Sequence, residues 1–523
     1  MTTAVPPLLP TVEQTRIDRW RDALLVSPRG YRLWRWLAPL LVTVVAAVLR
    51  LIDIGNPHQL VFDETYYVKD SWSQWVLGYP STWEPDDTDA RFAAGQTDIF
   101  TGIGSYVVHP PLGRILIGAG MALFGPDSAT GWRISAAVFG TATVLLVYLV
   151  ARTLTRSIPF ATVASGLIAI DGLGIVLSRI ALLDIFLTFF ILLTFWFVAL
   201  DHLRTGDRIA ELVARRGERP MWGPILWNRP WLIAAGTAAG AATAVKWSGL
   251  YVLAAIGVYA VVTDALARRR AGVVQWPMDA VRQGLASFVL LVPVALVVYL
   301  ASWSGWLFTS GGYMRSTPVA TSPLWSWVPE ALQRLWAYHQ AMYAFHVGLV
   351  TPHSYASPAW QWPLLIRPTS MYWHQDAAGV NGCTLPTGCT EAISSLANPI
   401  IWWAGIAASV FLLVRFVMVR DWRYALVLTG LAATYVPWLL YPERTIFQFY
   451  TVAMLPFLVI ALTFALREIA SPARAASRVT GQVGVLVFLG FCVVVSAFWY
   501  PVWAGLPVSY EFWRLHNWLP TWI

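Results

Sequence analysis

The sequence predicts an all-α polytopic membrane protein with about eleven transmembrane helices. Three observations carry this. The 523 residues are 57% hydrophobic and only 12% charged, about half the charged share of a soluble protein. Mean hydropathy is +0.57. Apolar runs of 17 to 21 residues recur at 36–54, 132–151, 158–176, 180–200, 231–248, 249–265, 284–303, 399–418, 424–441, 446–466 and 482–500, each matching the span of a bilayer. No cleavable signal peptide is expected, because the first run follows a 35-residue arginine-bearing segment and no small-residue cleavage site comes after it.

The net charge of +8 has a topological reading. Of the 36 Lys and Arg residues, 24 fall in the N-terminal tail and in 152–156, 204–229, 268–282, 415–423 and 467–478. With eleven spans these six segments share one side, which the positive-inside rule makes the cytoplasm. The N-terminus is then inside and the C-terminus outside. The basic balance reports topology and contact with anionic lipid heads, not a nucleic-acid groove.

This topology divides the chain into a cytoplasmic tail (1–35), a membrane module (36–303) with an external loop (55–131), an external loop (304–398), a C-terminal four-helix module (399–500) and an external tail (501–523). In the first loop, 112–124 is apolar but too short to span comfortably. It reads as an interfacial helix opened by Pro110-Pro111; a twelfth span would reverse the topology after it. In the second loop 330–349 reads as helical. Trp325, Trp327, Trp336, Trp360, Trp362 and Trp373 read mostly as an interfacial aromatic belt. Cys383 and Cys389, in a turn-rich external stretch, are a disulfide candidate; Cys492 reads as a small apolar residue. The alternative of a zinc site lacks a second pair of ligands.

Chemistry concentrates at the outer boundary. Asp63-Glu64 follow the first apolar run. Arg133 opens the second, Arg179 and Asp184 lie near the outer end of the fourth, and Lys246, one of only two lysines, closes the fifth. Ionisable residues at such depths are costly and suggest function. Arg179 with Asp184 reads first as a structural pair. A carboxylate can take a proton from an acceptor hydroxyl, and cations can hold a phosphate and stabilise the charge it gains on leaving. Those parts suit glycosyl transfer from a polyprenyl-phosphate sugar.

The motifs carry a family resemblance. Asp63-Glu64, His109-Pro-Pro-Leu-Gly, Arg133-Ile-Ser-Ala, Ser178-Arg-Ile-Ala-Leu-Leu-Asp184, Lys246-Trp-Ser-Gly, Ser357-Pro-Ala-Trp-Gln-Trp-Pro363 and Arg367-Pro-Thr-Ser-Met-Tyr-Trp373 occur in this order. The chain resembles the protein O-mannosyltransferases, bacterial members in particular, within the GT-C glycosyltransferases. The resemblance implies transfer of one mannose from polyprenyl-phosphate-mannose to Ser or Thr hydroxyls of secreted proteins, with inversion. Asp63 is then the base. Glu64 orients it or contacts the sugar or Arg133. Lys246, Arg133 and Arg179 bind the donor phosphate. His109, Asp184, Trp247, His346, His353 and Trp362 are candidates for lining the cavity. No metal or other cofactor is expected, and the acidic turn 84–89 matches no metal loop. Partners are the lipid donor, acceptor proteins, membrane lipid and, for an acceptor threading out unfolded, the secretion machinery.

Two departures stand out. The second external loop has no room for the β-trefoil domain of eukaryotic members, and 444–450 (Arg-Thr-Ile-Phe-Gln-Phe-Tyr) lacks the histidine that relatives often carry there. Two alternatives remain: a GT-C enzyme acting on a lipid or glycan, and a transporter. Against the latter, the charges cluster at one face and no two related halves are visible.

Overall fold

A computed structural model describes residues 14–217, 219–318, 323–472 and 474–523; the first 13 residues of the predicted N-terminal tail thus lie outside the described residues. The helices, in order, are α1 (Arg16–Leu25), α2 (Pro28–Leu51), α3 (Glu64–Leu77), α4 (Thr88–Ala93), α5 (Leu112–Phe124), α6 (Ala129–Thr155), α7 (Ile158–Ala169), α8 (Gly172–Arg179), α9 (Asp184–Ala214), α10 (Pro230–Val245), α11 (Gly249–Arg270), α12 (Trp276–Ser302), α13 (Ser304–Phe308), α14 (Glu330–Gly348), α15 (Pro399–Val419), α16 (Trp422–Tyr435), α17 (Leu455–Ala470), α18 (Ala475–Ala504) and α19 (Tyr510–Arg514).

Every predicted apolar run falls on helix, but the count of eleven spans is not reached by length. Among the described residues seven helices are long and apolar enough to cross a membrane: α2, α6, α9, α11, α12, α15 and α18. An eighth crossing is the pair α7–α8, bent by 58°. The run 158–176 breaks because Asp171 starts a new helix, its carboxylate accepting from the amides of Leu173 and Gly174. The runs 231–248, 424–441 and 446–466 yield α10, α16 and α17, of 16, 14 and 16 residues. Each gives way at one end to a turn or to 3-10 geometry, as at Val436–Leu440 and Gln448–Ala453. The predicted loop 201–230 begins as helix, since α9 runs on to Ala214.

Two antiparallel ribbons accompany the helices in the loops predicted to be external: β1 (Ser81–Trp83) with β2 (Phe100–Gly104), and β3 (Thr369–Asp376) with β4 (Cys389–Ser395). Cys383 and Cys389 are joined as a disulfide at the β3–β4 turn. Thr390 exchanges backbone bonds with Val508 (2.7 and 3.0 Å), tying the segment after α18 to β4.

The bundle is packed by small residues and by buried polar ties. Gly236 and Gly240 let α10 approach α12 so closely that an added Cβ would meet the carbonyl oxygens of Leu291 and Ala295 at 2.6 and 2.5 Å. Arg50, fully buried in α2, donates to the carbonyls of Ala46, Ile168 and Ala169 and to Ser178 Oγ, joining α2 to α7 and α8. At the other ends of the helices Arg229 pairs with Asp201 and Asp264, and Arg268 with Asp279, all buried. These networks satisfy charges that would otherwise be costly in a low-dielectric interior.

Candidate active site

The turn 61–64 is closed twice. The Glu64 amide donates to the Val61 carbonyl at 2.9 Å, and the Val61 amide donates to Glu64 Oε2 at 3.0 Å. Phe62 takes a positive φ of 49°, unfavourable for a bulky side chain. It is held by edge-on contacts with His353, Phe447 and Phe449. The result separates two adjacent carboxylates into different environments.

Glu64 is wholly buried. Its Oε1 accepts from Arg133 Nε (2.8 Å) and the Ala181 amide (2.7 Å), and its Oε2 from Arg133 Nη2 (2.8 Å) as well as Val61. Arg133 spends its remaining N–H groups on the carbonyls of Ile54, Pro57 and Gln59 at 2.9–3.2 Å. This pair is a strut between α6, the 54–64 loop and the α8–α9 turn.

Asp63 sits at the N-cap of α3, but its side chain makes no capping bond. It is half-buried, and burial pushes its carboxyl up to about 6. The Lys246 ammonium opposes that shift and the Asp184 carboxylate adds to it, so Asp63 shares the electrostatic field of that pair.

Lys246 follows the last residue of α10, where the helix ends in an extended residue. Its Nζ donates to both oxygens of Asp184, the first residue of α9, at 2.9 and 2.8 Å and lies 5.1 Å from the Tyr450 ring centre. The expected Arg179–Asp184 pair is therefore replaced by Lys246–Asp184. Arg179 instead donates to the carbonyls of Leu49, Arg50, Ile52, Asp53 and Ala504. It caps the C-terminal end of α2, where unpaired carbonyls favour a cation.

Lys246 and Asp184 line a cleft of about 260 Å³ together with His109, Trp247, Tyr251, His346, Trp438, Arg444 and Tyr450. Arg444 was not singled out from the sequence. Its Nε donates to the His346 carbonyl (2.9 Å), and its Nη2 lies 3.1 Å from His346 Nδ1. The other ring nitrogen of His346, Nε2, is 2.8 Å from the Val108 carbonyl. A carbonyl only accepts, so Nε2 carries the hydrogen and Nδ1 accepts from Arg444. Burial, Arg444 and Lys246 push the His346 imidazole down to about 4, against the pull of its bond to Val108. His346 is thus a neutral positioning group for Arg444. His109 stacks on it with ring centres 5.3 Å apart and is pushed well below the usual histidine range, chiefly by burial.

The cleft therefore gathers five of the sequence candidates: His109, Asp184, Lys246, Trp247 and His346. It does not gather Glu64, Arg133 or Arg179, whose polar atoms are spent on protein, and Asp63 is not among its lining residues either but feels it through the charges of Lys246 and Asp184. Trp362 is fully buried behind the cleft, its Nε1 on the Ser357 carbonyl and its ring against Tyr435, Trp438 and Tyr450. His353 is exposed beside Phe62 and Phe447. The acidic turn is tied to α3, with Asp89 on Lys69 (2.6 Å) and on Thr65. Among the described residues no three His, Cys, Asp or Glu side chains form a metal-ligand group.

Two family models match. That of the dolichyl-phosphate-mannose-protein mannosyltransferase covers residues 101–309, and that of the C-terminal four TMM region of protein-O-mannosyltransferase covers 331–522. The polyprenol-phosphate-mannose–protein mannosyltransferase of Mycolicibacterium smegmatis (strain MKD8) is 34% identical over 96% of this chain and 98% of that protein. The chain belongs to this family. The Mycobacterium tuberculosis (strain CDC 1551 / Oshkosh) protein of the same name is 32% identical over 99% of this chain and 95% of its own length. Among solved structures, a chain of the Saccharomyces cerevisiae protein O-mannosyltransferase Pmt1-Pmt2 complex bound to the sugar donor matches with a TM-score of 0.69, at 16% identity, over 93% of this chain and 92% of that one. The archaeal oligosaccharyltransferase AglB of Archaeoglobus fulgidus, in complex with an inhibitory peptide and a dolichol-phosphate, matches with a TM-score of 0.51, at 15% identity, over 92% of this chain and 56% of that one. Both share the GT-C fold with this multi-pass membrane mannosyltransferase.

Proposed function

We propose that the enzyme transfers a single mannose from a polyprenyl-phosphate-mannose to Ser or Thr hydroxyls of secreted or cell-envelope proteins. The reaction takes place at the external face of the cell membrane, with the N-terminus cytoplasmic. The observation that carries the mechanism is the position of Asp63, a carboxylate with no capping duty, in the field of the Lys246–Asp184 pair.

The step is one displacement. The acceptor oxygen bonds to the anomeric carbon, the bond from that carbon to phosphate oxygen breaks, and the hydroxyl proton passes to Asp63. The phosphodiester monoanion becomes a polyprenyl phosphate with a second negative charge. Lys246 and Arg444, rather than Arg133 and Arg179, are the cations available to stabilise that charge. Asp184 neutralises Lys246 before the donor arrives. A neutral His346 is no acid for the leaving group, and an anionic phosphate needs none. No metal is required by this reading.

Purified enzyme supplied with labelled donor and a Thr-containing peptide is expected to place α-linked mannose on the Thr hydroxyl. Labelled glycolipid with unmodified peptide would overturn the acceptor assignment. Lys246→Ala and Arg444→Ala are each expected to lower kcat/KM for the donor by roughly 10²–10³-fold, while the peptide KM changes little. An unchanged donor dependence in either variant would return that residue to a structural role.

The pH dependence follows from Asp63. Its carboxyl is raised to about 6, and only the ionised form takes the proton. As pH falls through about 6 the active fraction falls, so log kcat/KM should rise with unit slope below that pH and level off above it. A flat profile across that range would contradict the assignment.

A further inference from the structure

Three tyrosines near the cleft spend their hydroxyls on protein: Tyr338 on the Val107 carbonyl, Tyr106 on the Ala341 carbonyl and Tyr299 on His339. Tyr67 does not. It is half-buried on α3, and among the described residues its hydroxyl has no hydrogen-bond partner, although a phenol packed into protein usually finds one. Its amide donates to the Asp63 carbonyl at 3.0 Å. That is one helical turn, so the two side chains stand one above the other, roughly 5–6 Å apart at Cβ. The Tyr67 ring lies beside that of His109, with centres 6.3 Å apart, and His109 Nδ1 is itself buried without a partner. Neither Asp63 nor Tyr67 lines the cleft, but His109 and Asp184 do, and both border on Tyr67. Burial, helped by the carboxylates of Asp63 and Asp184, pushes the Tyr67 hydroxyl well above the usual tyrosine range. It therefore keeps its proton and is a donor.

We propose that the Tyr67 hydroxyl donates a hydrogen bond to a hydroxyl of the sugar being transferred, and so helps to select and orient it. The proposal rests on the reading that the donor is a polyprenyl-phosphate-mannose. The other two parts of the reaction have no use for this donor. The phosphate already has Lys246 and Arg444. The acceptor oxygen needs its lone pair for the anomeric carbon, and a bond from Tyr67 would compete for that pair and weaken the nucleophile. The sugar lies between the base and the cations, and its hydroxyls leave water when they enter. Each then needs a protein partner, because a buried hydroxyl left unpaired is costly. A site that pairs such a hydroxyl rejects sugars that lack it. Tyr67 supplies that partner one turn from the base, where its bond fixes the sugar relative to Asp63.

The test uses the full-length enzyme in proteoliposomes with Tyr67→Phe and, as a control, Tyr66→Phe, at the neighbouring position whose side chain is exposed. Phenylalanine keeps the ring beside His109 and removes only the hydroxyl, so the melting temperature should not move. Rates are measured with polyprenyl-phosphate-mannose and with its 2-, 3-, 4- and 6-deoxy analogues. Tyr67→Phe is expected to lower kcat/KM for the intact donor roughly 10- to 100-fold and to leave the peptide KM unchanged, with Tyr66→Phe like the wild type. With the one deoxy donor that lacks the bonded hydroxyl, Tyr67→Phe and wild type should be equal, while the other three keep the full loss. No loss with the intact donor, a loss of the same size with all four deoxy donors, or a loss confined to the peptide KM would overturn the proposal. Wild-type enzyme that moves no mannose from the intact donor would overturn the activity itself, which separates that failure from a Tyr67→Phe enzyme that turns over normally.

Discussion

Asp63→Asn is expected to leave a folded, donor-binding protein whose transfer rate falls by roughly 10²–10⁴-fold, the usual contribution of a positioned general base. The fold should tolerate the change for a local reason. The Asp63 carboxylate makes no capping bond to α3, and asparagine is at least as good an N-cap residue. Its burial opposes charge, so a neutral amide removes a cost there. What is lost is the basic oxygen. Thermal melting, donor binding and kcat measured on one preparation separate these effects. A variant with unchanged melting and near wild-type kcat would show that the proton goes elsewhere.

Glu64→Ala is expected to do the opposite, removing stability first and activity as a consequence. All four of its hydrogen-bond contacts are to protein, two of them to Arg133, and neither partner reaches solvent. Breaking such a pair on one side leaves a buried guanidinium unpaired and costs about 3–5 kcal/mol. The Ile54–Gln59 carbonyls, the 61–64 turn and the α8–α9 turn would all lose a common anchor. Glu64→Gln keeps the shape but turns an N–H group toward donors, so it should fall between the alanine variant and the wild type in melting temperature. Wild-type melting of Glu64→Ala with abolished transfer would make Glu64 a participant in the chemistry.

The contrast between these neighbours explains what could be read without a structure. Asp63-Glu64 announces itself as a pair by depth and motif, yet nothing local tells which oxygen is spent. That is settled by Arg133 and Ala181, 69 and 117 residues away. The helices Leu112–Phe124 and Glu330–Gly348 and the Cys383–Cys389 bond were legible, because short-range signals specify them: a length of apolar run, a run free of proline, two thiols in a tight turn. The break at Asp171 was not, since an apolar run reads as continuous until one carboxylate caps a new helix inside it. The β3–β4 ribbon was missed for a similar reason: its strands pair across a proline- and glycine-rich turn that reads only as a helix breaker. The sequence pairs Asp184 with Arg179, whereas the structure pairs it with Lys246. Arg179 and Asp184 are close in sequence, but α8 ends between them, sending Arg179 to the end of α2 and Asp184 toward α10. Arg444 lay in a segment notable for a missing histidine. Its significance comes from His346, 98 residues upstream, which orients it.

The central claim is that Asp63 faces the acceptor hydroxyl while Lys246 and Arg444 hold the donor phosphate. A cryo-EM structure of the enzyme with a non-transferable donor analogue and an acceptor peptide tests it most directly. The account predicts the Thr hydroxyl within hydrogen-bond reach of Asp63, the phosphate on Lys246 and Arg444, and Arg133 still on Glu64. A phosphate seated on Arg133 or Arg179, or a hydroxyl directed at another base, would contradict it.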